Sequence, residues 1–291
     1  MFSRMRLRLP DRDLIFPRRP LVMGIVNVND DSFSGDGSLV ADDMIAMARA
    51  QVAAGADVID VGAESARTNR KAIPVDEEIR RFRSVLERWD EVAADQAPRD
   101  AGQVWPPLLS ANTWRPDVVR GVLGMGGVDL INDIGALPDD RNARLCADAG
   151  TALLVMHSVG EPKVPHFKQH WPDVMDGLER FFAEKIRLAT DAGLPADAIV
   201  LDPGIDFAKQ CADNLTIYHH LARLTAFGRP LLVPVSRKTV IGETLGLPDP
   251  RDRDAGTVAC VAAALARGGA IFRVHDVDAV WQAVKTLDAL Q

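Results

Sequence analysis

The stretch Ala198–Lys209, AIVLDPGIDFAK, decides how the rest of this chain is read. It opens as a short apolar run and stops at an acid followed by a Pro-Gly pair. A run of that length bounded by turn residues fits a strand buried on both faces, the kind found in parallel sheets. Pro203 cannot donate to a ladder and Gly204 permits a tight bend, so the chain leaves the sheet there. Asp202 is then set at the carboxyl end of the strand, the end at which parallel α/β proteins meet their ligands. A single Asp-Pro-Gly more often caps a turn. Its weight comes from recurrence of the pattern, apolar run then polar residue, along the chain.

Working outward, strand-like runs are Leu21–Val28, Ala56–Gly62, Pro107–Asn112, Val128–Ile134, Thr151–His157, the run ending at Asp202, Pro230–Ser236 and Ala270–Val277. Helical patterns follow them at Val40–Ala54, Val75–Ala93, Pro116–Leu123, Pro138–Ala149, Pro172–Ala192, Ala212–Leu224 and Ala255–Arg267, with a last helix ending at Leu290. Gly55 ends the first helix, and Pro116 sits in a first turn, where its missing donor costs little. Strict alternation demands a parallel sheet, because each strand returns by a crossover helix. Eight such units are the count of a closed (β/α)8 TIM barrel, a single domain over residues 21–291. A doubly wound open sheet is the runner-up, and it would normally carry a Gly-x-Gly-x-x-Gly turn after its first strand. Residues 1–20 form a basic arm in which Met5–Leu9 alternates basic and apolar residues, as an edge strand closing one end of the core would. The exit of the fifth strand, Ser158–Trp171, is long enough to cover a ligand.

Composition narrows the function. The 291 residues are 47% hydrophobic, enough for one large core. A net charge of −7 argues against a nucleic-acid surface, so an anionic ligand has to be gathered by a few local basic groups. Cys146, Cys211 and Cys260 are scattered without metal spacing, which suits a reducing cytoplasm and gives no zinc site. No segment has the roughly 18 apolar residues of a membrane span, and the Arg-rich start lacks the apolar stretch of a signal peptide. A cytoplasmic protein without a membrane partner is expected.

In a barrel, the polar residues at the strand ends share one mouth. They are Asn27, Asp60 with Glu64, Asn112, Asn132 with Asp133, His157, Asp202, Ser236 with Arg237 and Lys238, and Arg273 with His275. Arg273 and His275 are two apart and point the same way, an arrangement that suits phosphate or pyrophosphate. The alternative is Arg273 paired with an acid in the barrel floor. Asn132 and Asp202 offer the amide and carboxylate edges that read a fused heterocycle, and Lys238 adds a mobile cation. His166 and His170 are four apart but lack a zinc-hydrolase glutamate, so surface histidines are expected. Asp30, Asp31 and Asp36 fit either a metal held through water or ordinary turn chemistry.

These residues stand in motifs that resemble the dihydropteroate synthase family, in the family's order: MGIVNVNDDSFS from Met23, GADVIDVGAESAR from Gly55, LINDI from Leu130, VMH from Val155, LDPGIDFAK from Leu201, VSRK from Val235 and RVHD from Arg273. The resemblance implies a pterin-binding barrel that joins 6-hydroxymethyl-7,8-dihydropterin diphosphate to 4-aminobenzoate and releases pyrophosphate. By that resemblance Asn132, Asp202 and Lys238 hold the pterin ring, with Asn112 in its acid position and Met156 and Phe207 packed near it. Asn27, Arg273 and His275 hold pyrophosphate, with Mg2+ at Asn27. Lys238, Arg67 of the second loop and Asp36 of the first are the implied catalytic residues. A homodimer is also implied, for which the Ala-rich helix around Val258–Ala266 is a candidate face.

The chain departs from the family in places. Ser110-Ala111-Asn112-Thr113 stands where members usually have Ser-Val-Asp-Thr, which removes a negative charge. Asn29-Asp30 replaces Thr-Pro, Ser34-Gly35-Asp36-Gly37 replaces Ser-Asp-Gly-Gly, and Ala66-Arg67-Thr68 replaces Thr-Arg-Pro. Asp206 and Pro234 replace glycines. A paralogue using another amine or ring, and a pterin-binding protein without turnover, are the alternatives. A cobalamin-dependent methyltransferase barrel ranks lower, since it has no need of the anion-binding groups.

Overall fold

In the computed structural model, which describes residues 4–29, 37–65, 71–164 and 169–290, eight parallel strands close into a barrel. The chain begins with β1 (Met5–Arg8) and β2 (Asp13–Phe16) and enters the barrel at β3 (Leu21–Asn27). There follow α1 (Ala41–Ala53), β4 (Val58–Gly62), α2 (Val75–Leu86), α3 (Asp90–Ala93), β5 (Leu108–Asn112), α4 (Pro116–Leu123), β6 (Leu130–Asp133) and α5 (Arg141–Ala149). The second half runs β7 (Ala152–Met156), α6 (Val174–Asp191), β8 (Ile199–Asp202), α7 (Cys211–His220), β9 (Leu231–Val233), α8 (Thr239–Leu245), α9 (Asp254–Leu265), β10 (Gly269–Val274) and α10 (Val277–Ala289). Neighbouring barrel strands are consecutive in sequence, and β10 closes on β3.

Both faces of the strands are buried, which is why they read as apolar runs and not as alternating ones. The outer face packs under the helices, and the inner face fills the barrel. Gly55 follows α1 with φ of 99°, and a Cβ there would come within 2.3 Å of the Trp281 ring. Asp173 caps α6 by accepting from Met175 N and Asp176 N.

At the amino-terminal end of the barrel, β1 and β2 form an antiparallel hairpin. Met5, Leu7, Leu14 and Phe16 turn into the core, while Arg6 and Arg8 face Asp197 at 3.5 and 3.3 Å. Arg12 Nη1 donates to the carbonyls of Trp105 and Pro106 just before β5. The expected strand at Met5–Leu9 is therefore present as a cover for this end. Its partner β2 was not expected, because DLIF is only four residues long, between Arg12 and Pro17.

Other differences have physical causes. The single helix expected over Val75–Ala93 is two helices, α2 and α3, although neither Pro nor Gly marks the break. Tight turns, Arg88 N to Val85 O and Trp89 N to Leu86 O at 3.1 Å each, bend the chain so that Trp89 packs against the core. Helix α8 lies within an expected polar loop, and α7 ends at His220 in a 3-10 turn over Leu221–Phe227. Strand β9 keeps only three residues between Pro230 and Pro234, neither of which can donate to a ladder. Among the described residues no helix is long and apolar enough to cross a membrane.

Candidate active site

Strand register builds the site. Asn27 is the Cα partner of Gly62, Gly62 of Asn112, and Asn112 of Asn132. Partners on adjacent parallel strands share a face, so these residues form one layer at the carboxyl end of the barrel. Gly62 leaves the layer open: a Cβ there would stand 3.7 Å from both Asn27 Oδ1 and Asn112 Cβ. One layer below, Ile25, Asp60 and Ser110 are partners.

Asp60 is fully buried and gathers this floor. Its Oδ1 accepts from Ser110 Oγ at 2.6 Å. Its Oδ2 accepts from Asn112 Nδ2 at 3.2 Å, Asn132 Nδ2 at 3.1 Å and Arg273 Nε at 2.7 Å. Four donors from β5, β6 and β10 thus converge on one carboxylate. Both asparagine amides are oriented by that acid, because Nδ2 must face it. Asn112 consequently keeps an acceptor oxygen, as an aspartate would, while lacking the charge. Asn132 is 2% exposed, and its Oδ1 is buried without a hydrogen-bond partner among the described residues. A buried acceptor of this kind costs free energy until a donor reaches it.

Asp202 ends β8 beside Met156, its Cα partner at the end of β7. Asp202 Oδ1 accepts from Gly204 N at 2.7 Å, and no hydrogen bond among the described residues engages Oδ2. Burial pushes this carboxyl up to about 6, opposed by the Gly204 N–H and by the charges of Lys238, Lys209 and Arg273. Gly204 has φ of 64°, and a Cβ would lie 2.0 Å from His157 O. No other residue fits that turn.

Lys238 reaches the same place from the turn after β9. Its Nζ donates to Ile205 O at 2.9 Å and lies 5.0 Å from the centre of the Phe207 ring. Burial lowers its pKa, while Asp206 and then Asp202 favour the charged form. Ser236 Oγ lies 2.8 Å from His275 Nδ1 and accepts from His275 N at 3.2 Å, fixing the imidazole just past β10.

Several expected members of the mouth lie elsewhere. Asp133 follows Asn132 and therefore points to the opposite face. There it accepts from Gly135 N and from Asn142 Nδ2 of α5, and burial raises it to about 6. His157 is buried against Trp171 and Phe181, with Nδ1 2.9 Å from Lys209 Nζ. Burial, then the Lys209 charge, holds it near 2, so it is a neutral packed ring and not a ligand. Arg237 pairs with Asp254 of α9. Glu64 is tied up among the segments that follow β4, β5 and β7, where it accepts from Ile73 N and pairs with Lys163 at 2.7 Å and Arg115 at 3.0 Å. Arg273 does carry the floor acid that was its alternative reading, namely Asp60. Arg67 and Asp36, with Asp30, Asp31 and His166, fall outside the described residues.

Asp60 as the hub was missed. An acid inside VIDVG is visible in sequence, but its four donors come from three strands that only the closed barrel assembles.

Among the described residues no group of three His, Cys, Asp or Glu side chains could hold a metal. Asn27 carries a single amide oxygen at the mouth. Such a hard donor fits a magnesium ion that keeps its waters and arrives on a diphosphate.

The profile of the family described as pterin binding enzyme matches residues 23–275. Dihydropteroate synthase from Neisseria meningitidis serogroup C is 38% identical over 94% of this chain and 93% of its own length. The chain belongs to the dihydropteroate synthase family. The Escherichia coli K12 synthase is 35% identical over 93% of this chain and 91% of its own length. Among solved structures, Yersinia pestis dihydropteroate synthase in a sulfonamide drug complex superposes with a TM-score of 0.86 at 33% identity, covering 98% of each chain. The Xanthomonas albilineans synthase in complex with 7,8-dihydropteroate gives 0.81 at 34% identity, again over 98% of each chain. The fold expected for the family from the sequence is the fold observed.

A pH dependence follows for the pterin end of this family member. If ionised Asp202 accepts from the ligand, affinity rises with pH through about 6, and it falls again on an alkaline limb where Lys238, whose pKa burial lowers, gives up its proton. Below about pH 6 it falls about tenfold per pH unit. The raised pKa acts on stability in the other sense: its contribution is present at acid pH and lost as pH rises through about 6. Calorimetric titration of a pterin diphosphate between pH 5 and 8 checks this, with the acid limb absent in Asp202→Asn. A flat profile in the parent would refute it.

Proposed function

We propose that this chain is a dihydropteroate synthase. It condenses 6-hydroxymethyl-7,8-dihydropterin diphosphate with 4-aminobenzoate and releases pyrophosphate. The observation that carries the reading is that Asn132 Oδ1, without a partner among the described residues, and the unengaged edge of Asp202 stand at the same end of the barrel, on β6 and β8, in a chain of this family. Two acceptors in one mouth suit the N–H donors of an aminopyrimidine ring, Lys238 supplies a donor for the ring's acceptors, and Met156 and Phe207 pack against it.

Arg273 and His275 receive the diphosphate, with Asn27 at the same rim. The C–O bond to the diphosphate breaks as the amine nitrogen bonds to the pterin methylene, and the amine then loses a proton. Protein groups act by holding the two partners in line and by steadying charge as it develops. Magnesium bound at Asn27 would neutralise charge on the leaving pyrophosphate. We assign Lys238, Arg67 and Asp36 to the reacting end, the latter two from the second and first loops. The three thiols are free, in keeping with a reducing cytoplasmic setting. Helix α9 buries Thr257, Val261 and Ala264 and leaves Ala255 and Ala259 exposed, which supports a homodimer through that face, checked by sedimentation.

The test is turnover by the purified chain. Pyrophosphate and dihydropteroate should form together, and only when magnesium, the pterin diphosphate and 4-aminobenzoate are all present. Tight pterin binding without product would overturn the reading.

Asn112 favours a second reading, a paralogue that takes another amine. Asn112→Asp separates the two. It sets a carboxylate against Asp60 and should lower thermal stability. It also adds negative charge beside a cation-like pterin, so kcat with 4-aminobenzoate should rise about threefold to tenfold. No gain, together with turnover of a different amine by the parent, would favour the paralogue.

A further inference from the structure

Asp206 stands in the loop after β8 with φ of 70°, a backbone region that side chains other than glycine seldom adopt. Such a conformation persists only where the surroundings fix it. Here they do. Asp206 N donates to Asn214 Oδ1 at 3.0 Å, and Asn214 Nδ2 donates back to Asp206 Oδ1 at 3.0 Å. Asn214 belongs to α7 and is 1% exposed. The other carboxylate oxygen, Oδ2, accepts from the backbone N–H of Thr239, and Oδ1 accepts more weakly from Val240 N at 3.4 Å.

Those two amides open α8, whose N-cap residue is Lys238 and whose N-terminus has no side-chain cap of its own. The aspartate from another loop therefore supplies the cap. The lysine side chain returns the connection. Its Nζ donates to Ile205 O, the residue before Asp206, and overlies the ring of Phe207, the residue after it. The backbone that follows Lys238 and the lysine's own side chain are thus both tied to the same three-residue segment.

Resting on the function proposed above, we propose that Asp206 is a positioning residue for the pterin end of the site. It acts through Lys238 and Phe207, holding both in place before the ring arrives, so that less order has to be gained on binding. A glycine at this position would relax the backbone and release both partners. The carboxylate also favours the charged lysine. The other charged groups acting on that ammonium are Asp202, which favours the charge, and Arg273 and Lys209, which oppose it.

Asp206→Gly and Asp206→Asn in the full chain test this. The glycine variant suits the positive φ and should fold. Its Kd and KM for the pterin diphosphate should rise about tenfold while kcat changes less, and the alkaline limb of pterin affinity should move to lower pH. Asp206→Asn keeps one acceptor oxygen, so it should recover most of the affinity, yet it should show the same shift of the alkaline limb. Parental pterin affinity and pH profile in Asp206→Gly would overturn the proposal. If the glycine variant fails to fold, the position of the limb in Asp206→Asn decides.

A parent that neither binds nor turns over the pterin diphosphate would instead defeat the functional reading. The clamp is then judged without ligand, by amide hydrogen exchange at Thr239 and Val240. Exchange should accelerate in Asp206→Gly, and unchanged protection would refute the clamp.

Discussion

Asp60→Asn should melt well below the parent and lose turnover by about a hundredfold. The carboxylate accepts from Ser110, Asn112, Asn132 and Arg273 at once. An amide can meet Asn112, Asn132 and Arg273 only by turning its one oxygen to them and its NH2 to Ser110 Oγ, and that oxygen carries no charge to hold the guanidinium. Breaking a buried ion pair from one side costs about 3–5 kcal/mol. Arg273 is 23% exposed and can turn toward solvent, so about 2 kcal/mol is the better expectation. The larger effect is on geometry. Without the charge, Arg273 and the amides of Asn112 and Asn132 compete for one weaker acceptor, so the acceptor expected to meet the pterin is held less firmly. Urea denaturation and steady-state kinetics check the two parts separately. Stability within about 0.5 kcal/mol of the parent, with near-parental kcat, would remove Asp60 from the centre of the site.

Lys238→Met should behave in the opposite way, folding normally and failing to bind. The methionine fills similar space, and the lysine is only half-buried, so the melting temperature should stay close to the parent's. Loss of the ammonium removes the cation that is held by Ile205 O and over the Phe207 ring. A charge-assisted hydrogen bond to the ligand is lost with it, and the Kd for a pterin diphosphate should weaken about a hundredfold. Lys238→Arg should not restore binding, because a planar fork cannot replace a compact ammonium over one carbonyl. Calorimetric titration reads both variants. Parental affinity in Lys238→Met would show that the ring is held elsewhere.

Much of the architecture could be read from the residues, because strands buried on both faces appear as unbroken apolar runs between helical patterns. Leu21, Val58, Leu108 and Ile199 begin such runs, and each lies in the barrel. What stayed hidden was short or unmarked: β2 with its four residues, α8 with its seven, and a bend before Asp90 without a breaker residue.

At the site, Asn27, Asn112, Asn132 and Asp202 could be read as polar strand ends. Asp133 looks away because of its place on β6, whereas His157 and Arg237 lie past the ends of β7 and β9, in turns that the residues do not mark. Neighbouring residues on a strand face opposite ways, and nothing in Asn132-Asp133 says which of the two looks inward. Asp60 was in plain view, but its partner Arg273 is 213 positions away. The aspartate at 206 reads as a departure from a glycine pattern. Only its two helix-opening amides show what it holds.

The Asp60–Arg273 pair has a consequence for biosynthesis. Arg273 lies on the last of the eight barrel strands to be made, and its acid lies on the second, with β3 between them. A nascent chain can therefore build most of its sheet while this carboxylate still lacks its counter-charge. The pocket comes into being only at the final stitch, so a prematurely terminated product is left with an uncompensated buried anion and has no partial activity to offer.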